Sequence, residues 1–257
     1  DSTKGWLPVS DDAVADVPTV PLTQKGAMAY GITSGGVVSI SNLVSSSGVV
    51  ASDVTGVGTA RYRLAAAGYG GDKAIFGYGT TGSVSSLSNL VSSSGVVATD
   101  TTGVGTARSN LAACRYGGDK AIFGYGSTHV SNLVSNVGVI ATDVSGTGTS
   151  KTDRSAAGYG EDKGIFAWGY TAVTQTNLVT NAGVIGSDVS GAGTARYQVL
   201  MCTYGGDKAI GAYGENAGGT RVNMSNLINS SGGMATDVSG VGTARGAGAA
   251  VGYSTSA

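Results

Sequence analysis

The sequence is poor in charge, proline, cysteine and histidine. Of its 257 residues 12% are charged, and it contains 3 Pro, 2 Cys and 1 His. So few prolines exclude a collagen-like chain in spite of the 45 glycines. A net charge of -1 leaves no basic surface of the kind that nucleic-acid binding requires, and no apolar run approaches the roughly 20 residues of a membrane span. We therefore expect a protein that neither binds nucleic acid nor inserts into a membrane.

What the chain does contain is one pattern, repeated five times. Each copy has an Asn in a Ser/Thr-Asn-Leu-Val/Ile segment, then an Asp, a basic residue and a Tyr at fixed spacings, and the length varies only between each Tyr and the next Asn. We expect each Asp to pair with a basic residue of this set or to cap a turn. The members are Asn42, Asp53, Arg61 and Tyr69; Asn89, Asp100, Arg108 and Tyr116; Asn132, Asp143, Lys151 and Tyr159; Asn177, Asp188, Arg196 and Tyr204; and Asn226, Asp237, Arg245 and Tyr253.

Within a copy, turn residues separate four short β-prone runs. In the second copy they span residues 64–69, 73–78, 87–91 and 96–100, and Gly70-Gly71-Asp72 joins the first two as a tight hairpin turn. Four strands in about 40–50 residues are typical of a propeller blade. The sequence thus predicts an all-β, five-bladed β-propeller over residues 23–257.

The two ends of the repeat region predict how this ring closes. Residues at about 25–30 read as the second strand of a hairpin, and residues at about 248–253 read as a first strand. Pairing them would leave no exposed edge. Residues 1–22 contain the three prolines and Trp6, and we expect them to form an extended attachment arm.

The units spanning residues 61–78 and 108–125 resemble the kelch-type propeller repeat, although Gly77-Tyr78-Gly79 stands where kelch blades carry a Gly-Gly pair. More specifically, the strings Ser-Asn-Leu-Val-Ser-Ser-Ser-Gly-Val-Val-Ala-Thr-Asp, Gly-Val-Gly-Thr-Ala-Arg and Gly-Asp-Lys-Ala-Ile-Phe-Gly-Tyr-Gly resemble repeats in virion structural proteins of marine tailed phages. The resemblance covers about residues 23–253. It implies a component of a particle surface, fibre or tail, and it brings no catalytic residues with it.

The residues give little reason to expect an enzyme, a cofactor or a metal site. His129 lies in a variable segment and has no counterpart in the other copies, so we do not expect a Ser-His-Asp arrangement. Cys114 and Cys202 occupy equivalent positions in copies that are not neighbours, which predicts two reduced, small core residues. Two cysteines and one histidine are too few for a zinc site.

Two features leave room for ligand binding. One aromatic residue ends each second strand, and these rings either pack between blades or present faces on which sugar rings stack; they are Tyr30, Tyr78, Tyr125, Trp168 and Tyr213. The segments after them, 31–40, 79–87, 126–130, 169–175 and 214–224, vary in length and hold His129, Glu215 and Arg221. Loops on a rigid scaffold commonly bind partners, but tolerated drift would give the same variation.

We therefore expect a non-enzymatic structural and interaction protein on the surface of a virion, with the arm bound to other virion proteins. The alternative is a lectin-like adhesin that binds host-surface glycans through the variable segments and the repeated aromatic residues.

Overall fold

The computed structural model describes residues 25–146, 148–250 and 252. These residues form strands and turns without a helix, and therefore without a helix that could cross a membrane. The strands are β1 (Gly26–Thr33), β2 (Gly36–Val44), β3 (Ala65–Tyr69), β4 (Lys73–Gly77), β5 (Ser88–Val91), β6 (Ala112–Tyr116), β7 (Lys120–Gly124), β8 (Val130–Val134), β9 (Val144–Ser145), β10 (Ser155–Tyr159), β11 (Lys163–Ala167), β12 (Thr176–Val179), β13 (Arg196–Tyr197), β14 (Leu200–Tyr204), β15 (Lys208–Ala212), β16 (Glu215–Asn216) and β17 (Ser225–Ile228). The all-β class predicted from the repeat is confirmed.

The strands form small antiparallel sheets that follow the sequence repeat. We call these groups unit 1 (β1, β2), unit 2 (β3, β4, β5), unit 3 (β6 to β9), unit 4 (β10, β11, β12) and unit 5 (β14, β15, β17). In units 2 to 5 the Tyr-ending strand pairs with the Lys-starting strand, which pairs in turn with the Asn-containing strand. The short pair β13 and β16 extends the first hairpin of unit 5.

The predicted fourth strand of each copy is mostly reduced to single bridges. In unit 2 the run 96–100 pairs with β5 through the isolated bridge Val91 to Val97, and a second bridge joins Ser88 to Thr101 just beyond it. Unit 3 alone, among the described residues, has a fourth strand, the two-residue β9. The prediction of four strands per copy is therefore wrong at this level of detail, because in most copies the fourth run keeps only isolated bridges to the third strand.

The described ends of the chain do not show the predicted closing pair. β1 pairs with β2 along its whole length, and residues 248–250 and 252 belong to no strand. The segment predicted as the variable loop 31–40 lies mostly within these two long strands, so unit 1 has only a tight turn there. The arm at residues 1–22, with Trp6, lies outside the described residues, as do residues 251 and 253 of the closing strand.

The core lies between consecutive units rather than within them. Four apolar clusters are present among the described residues, one at each contact from unit 1 to unit 5. In the cluster between units 2 and 3, for example, Tyr78 packs with Phe123 and Leu111. The Gly-Gly-Asp turns add backbone bonds between units, because the Gly70 amide donates to the Asp119 carbonyl and the Gly117 amide to the Asp162 carbonyl. The residues before the first strands do the same at the opposite end, where Asn110 donates to the Arg63 carbonyl.

Candidate functional site

The invariant residues of the repeat meet in a polar network that joins one unit to the next. In unit 2 the Asn89 Nδ2 donates to Asp100 Oδ1 at 2.9 Å and to the Ala98 carbonyl at 3.0 Å. Thr59, which lies in the segment between units 1 and 2, donates its backbone amide and its hydroxyl to Asp100 Oδ2. Arg61 from the same segment donates to Asn89 Oδ1 at 2.6 Å and is fully buried. We call this arrangement a junction.

The Thr, Asn and Asp contacts recur at four junctions. Burial raises the pKa of each junction Asp, but the hydrogen bonds from Thr and Asn outweigh it and hold that pKa below its ordinary value. The carboxylates are therefore ionised and bound at neutral pH. The sets are Thr59, Asn89 and Asp100; Thr106, Asn132 and Asp143; Thr149, Asn177 and Asp188; and Thr194, Asn226 and Asp237.

The expected Asp-and-base pairs form across units rather than within one copy. Arg61 lies 3.3 Å from Asp100, the Asp of the next unit, instead of pairing with Asp53. Arg196 likewise lies 3.6 Å from Asp237. The sequence spacing left the partner of each Asp open, and the structure supplies it: the connecting segment carries its Arg forward into the following sheet.

Each junction Arg also lies over the aromatic ring that ends the second strand of the preceding unit. The guanidinium carbon is 4.1 Å from the centre of the ring at Arg108 and Tyr78. Such contacts contribute about 2 kcal/mol where water is excluded. The five pairs are Arg61 on Tyr30, Arg108 on Tyr78, Arg154 on Tyr125, Arg196 on Trp168 and Arg245 on Tyr213.

Arg154 takes the place that the sequence spacing assigned to Lys151. The guanidinium over Tyr125 belongs to Arg154, at 4.2 Å, and it donates to the carbonyls of Phe166 and Gln175. Arg154 is buried and Lys151 is half-buried. The assignment of Lys151 as the base of this copy is wrong, since the planar guanidinium that stacks on an aromatic ring arrives three residues later.

The repeated aromatic residues pack between units. Tyr78 and Tyr125 meet Phe123 and Phe166 of the next units edge-to-face at 5.2 Å, and Tyr78 and Trp168 are fully buried. Tyr30 and Tyr213, at the two ends of the described array, are half-buried. All five aromatic residues adopt a positive φ, between 55° and 67°, which turns the chain out of the strand in units 2 to 5 and produces a register shift within β1 at Tyr30. The packing interpretation accounts for Tyr30, Tyr78, Tyr125 and Trp168, and the buried rings offer no face to a sugar.

Unit 5 replaces the Phe of the other junctions with Gly211. A Cβ at this position would lie closer than 3.0 Å to the Trp168 ring, a separation that real Cβ atoms essentially never show. Trp168 therefore occupies the volume that a Phe fills at the other junctions. The larger ring of unit 4 fits because unit 5 has no side chain at Gly211.

The variable segments lie at the same end of the sheets as the starts of the first strands. The bridges Tyr62 to Thr80 and Thr152 to Tyr170 fix this arrangement in units 2 and 4. We call this end the loop face, and we call the opposite end, with the Gly-Gly-Asp turns, the turn face.

On the loop face, units 4 and 5 bring several polar and aromatic groups together. Tyr197 donates a short hydrogen bond to Glu215 Oε1, and Arg221 Nε lies 3.9 Å from Glu215 Oε2. Tyr170 packs edge-to-face on Tyr197 at 5.3 Å and is 52% exposed. The bond to Glu215 raises the pKa of the Tyr197 hydroxyl, and burial raises that of Asp153 in the same region. We call Tyr170, Tyr197, Glu215 and Arg221 the loop-face cluster.

Only two of the three polar residues predicted in the variable segments lie together in the structure. Glu215 and Arg221 are brought together, whereas His129 lies exposed in the loop before β8. The sequence does not point to Tyr170 or Tyr197, because Tyr170 has no counterpart in the other copies and Tyr197 shares its position only with Tyr62. The Thr set has a sequence signal in the Gly-Thr pair that precedes the basic residue in every copy, as Gly-Thr-Ala-Arg in four copies and Gly-Thr-Ser-Lys in the third.

A cavity of about 1220 Å³ is lined by the first strands of units 2 to 5, together with residues 25–27, 250 and 252. Cys114 and Cys202 both lie on its wall at equivalent registers, and both thiols are free. Burial raises the pKa of Cys114 to about 12. Among the described residues no group of His, Cys, Asp and Glu side chains could hold a metal ion.

Comparison with known proteins adds no family to this description. No protein-family model matches the sequence, and no curated protein matches it.

Proposed function

We propose that this chain is a non-enzymatic structural and interaction protein, built as a closed five-bladed β-propeller and carried on the surface of a virion. The first strands of units 2, 3, 4 and 5 contact one another in series. Residues from all five units line one cavity, as the first strands of a propeller line its axis. These two observations support the ring.

The observation that carries the structural function is that the repeated buried residues and the variable residues occupy different parts of the molecule. Buried Arg, Asn and aromatic residues recur at every junction described above, whereas sequence variation is concentrated in the loops at one end. A scaffold of this kind holds its loops in fixed positions for contact with a partner. The resemblance of the repeats to phage virion proteins favours a particle surface, fibre or tail as the setting.

Virions whose genome encodes this sequence provide the test. We expect the chain to co-purify with gradient-purified particles in a fixed ratio to the capsid protein, and antibodies against it to label intact particles. Absence from the particles would overturn the proposal.

The arm at residues 1–22 is proposed to attach the chain to other virion proteins. Its deletion should abolish incorporation into particles while the melting temperature of the remaining chain stays within about 2 °C of the full-length value, as for a segment outside the core. The variant Trp6→Ala should weaken incorporation in the same direction. Unchanged incorporation of both variants would assign attachment to another part of the chain.

The loop-face cluster supports a second candidate function, a lectin-like adhesin that binds host-surface glycans. Tyr170 exposes half of its surface beside the hydrogen-bonded Glu215 and the exposed Arg221, and an aromatic face next to a carboxylate and a guanidinium can stack on and hydrogen-bond to a sugar. A glycan array run with the wild-type chain, Tyr170→Ala and the control Tyr204→Ala tests this. Tyr204 is an exposed tyrosine at the turn face, so its loss should leave binding intact. Signal lost only in Tyr170→Ala supports the adhesin, and a silent array rejects it.

A further inference from the structure

The described array contains one unmade junction, split between its two ends. Units 1 and 5 each carry half of the residue set that forms the four observed junctions, and the halves are complementary. We propose that they join within the same chain, with Arg245 and Thr243 bound to the Asn42–Asp53 pair and Tyr213 packed on Met28. This inference rests on the proposed ring and names the contacts that close it.

The half-junction in unit 1 supplies the hydrogen-bond acceptors, on the Asn42–Asp53 pair that corresponds to Asn89 and Asp100. Asn42 Nδ2 donates to Asp53 Oδ1 at 2.8 Å and to the Ala51 carbonyl at 3.1 Å, as Asn89 does to Asp100 and Ala98. In the part of the chain that the structure describes, no Thr or Arg binds the second oxygen of Asp53, and Asp53 is exposed. Asp53 thus has the free oxygen that Thr59 fills at Asp100.

The half-junction in unit 5 supplies the hydrogen-bond donors, Arg245 and Thr243, which correspond to Arg61 and Thr59. Arg245 lies over the Tyr213 ring at 3.6 Å, and its Nη1 donates to the Thr243 carbonyl at 3.1 Å. Arg61 makes the same two contacts, to Tyr30 and to the Thr59 carbonyl, and then reaches Asn89 and Asp100. Arg245 is therefore already in the conformation of a junction Arg, but in the described chain it reaches no carboxylate and remains exposed.

The apolar contacts show the same split. Met28 occupies the position of Phe76, Phe123 and Phe166, the residues on which the aromatic rings of preceding units pack. Met28 is 57% exposed, whereas Phe123 and Phe166 are fully buried. Trp168 has Gly211 in place of such a neighbour and fills the space itself, whereas Tyr213 has no neighbouring side chain of this kind among the described residues. A flexible thioether packs well against an aromatic edge, so Met28 can take the place of a Phe under Tyr213.

The partner is the same chain because both halves border one space. Residues 25–27, next to Met28, and residues 250 and 252, beyond Arg245, line the same cavity as the first strands of the other units. A Cβ on Gly248 would contact the Leu200 side chain at 3.0 Å, and a Cβ on Gly252 would meet the Thr203 carbonyl, so the C-terminal segment already lies along the first strand of unit 5.

A cysteine pair tests the closure directly. The chain Asp53→Cys/Thr243→Cys, in a Cys114→Ala/Cys202→Ala background, is treated with a short dithiol-specific cross-linker at several protein concentrations. The matched control Asp237→Cys/Thr194→Cys probes a junction in which the Thr hydroxyl lies 2.7 Å from the carboxylate. We expect both pairs to cross-link within one chain at a yield independent of concentration. Ladders of linked chains, or a linked control with an unlinked 53/243 pair, would overturn the proposal.

A charge exchange provides an independent measurement that needs no cysteine. Asp53→Arg and Arg245→Asp should each lower the melting temperature, and the double variant should recover at least half of the summed loss. Additive losses would overturn the closure. Neither readout involves a virion or a glycan, so a failed closure is distinguishable from a failed function.

Discussion

The match between Trp168 and Gly211 makes a sharp prediction about packing between units. Trp168→Tyr leaves a cavity where the fully buried indole now lies, which we expect to cost about 2 kcal/mol. Gly211→Phe places a Cβ closer than 3.0 Å to the indole ring, and the displacement of that ring should also cost about 2 kcal/mol or more. The double variant recreates the Tyr-on-Phe contact seen between Tyr78 and Phe123. We expect it to be within about 1 kcal/mol of the wild type, a coupling of about 3 kcal/mol.

Urea denaturation of the four chains, followed by far-ultraviolet circular dichroism, measures this coupling. Ala167→Gly, next to Trp168 at the end of β11, serves as a control. It changes a buried residue but leaves the contact between the Trp168 indole and Gly211 unaltered. Additive losses in the double variant, or a Gly211→Phe chain as stable as the wild type, would refute the reasoning that Trp168 fills the space of the missing Phe.

Three further predictions follow from the junctions and the cavity wall. Arg154→Ala should lower the free energy of unfolding by about 2–3 kcal/mol because it leaves the carbonyls of Phe166 and Gln175 without their donor and removes the contact with Tyr125. Lys151→Ala should change it by less than about 0.5 kcal/mol. Thermal melts of both variants check the reassignment, and equal losses would contradict it. The depressed pKa of the junction carboxylates means that their stabilisation is complete above the ordinary carboxylate value and is lost as the pH falls through the lower folded-state value. The melting temperature should therefore drop below about pH 4, and Asp100→Asn should melt lower at pH 7 but lose less on acidification; a parallel acid loss in both chains would disprove the linkage. Cys114, whose pKa burial raises to about 12, should resist a thiol reagent at pH 8 in the native chain and react within minutes in denaturant, and rapid native labelling would contradict its burial.

The sequence was sufficient to predict the elements that repeat in register. The five copies predicted the all-β class, the Gly-Gly-Asp turns and the equivalence of Cys114 and Cys202, because each depends on spacing along one chain. Spacing also singled out the polar residues of the junctions. It could not say which Asp binds which Arg, since Arg61 reaches forward to Asp100 through a turn whose direction no local pattern encodes.

The loop-face cluster could be predicted only in part. Glu215 and Arg221 broke the repeat and were therefore visible as candidates, whereas Tyr170 and Tyr197 joined them through hairpin extensions that differ from unit to unit. The assignment of Lys151 was wrong because Lys151 lies at the spacing of the junction Arg, whereas Arg154 supplies the guanidinium that stacks on Tyr125. A repeat identifies positions, but burial and ring contacts decide which side chain fills them.

The forward reach of the junction Arg has a consequence for the order in which the chain can fold during synthesis. Arg61 precedes its carboxylate partner by 39 residues, so at about 5–20 residues per second the ribosome takes some seconds to supply Asp100. Until Tyr78 and Asn89 emerge, the guanidinium that is fully buried in the finished protein has only Tyr30, the Thr59 carbonyl and solvent as neighbours. Each unit would thus be locked by the unit that emerges after it, and folding would advance along the nascent chain one junction behind translation.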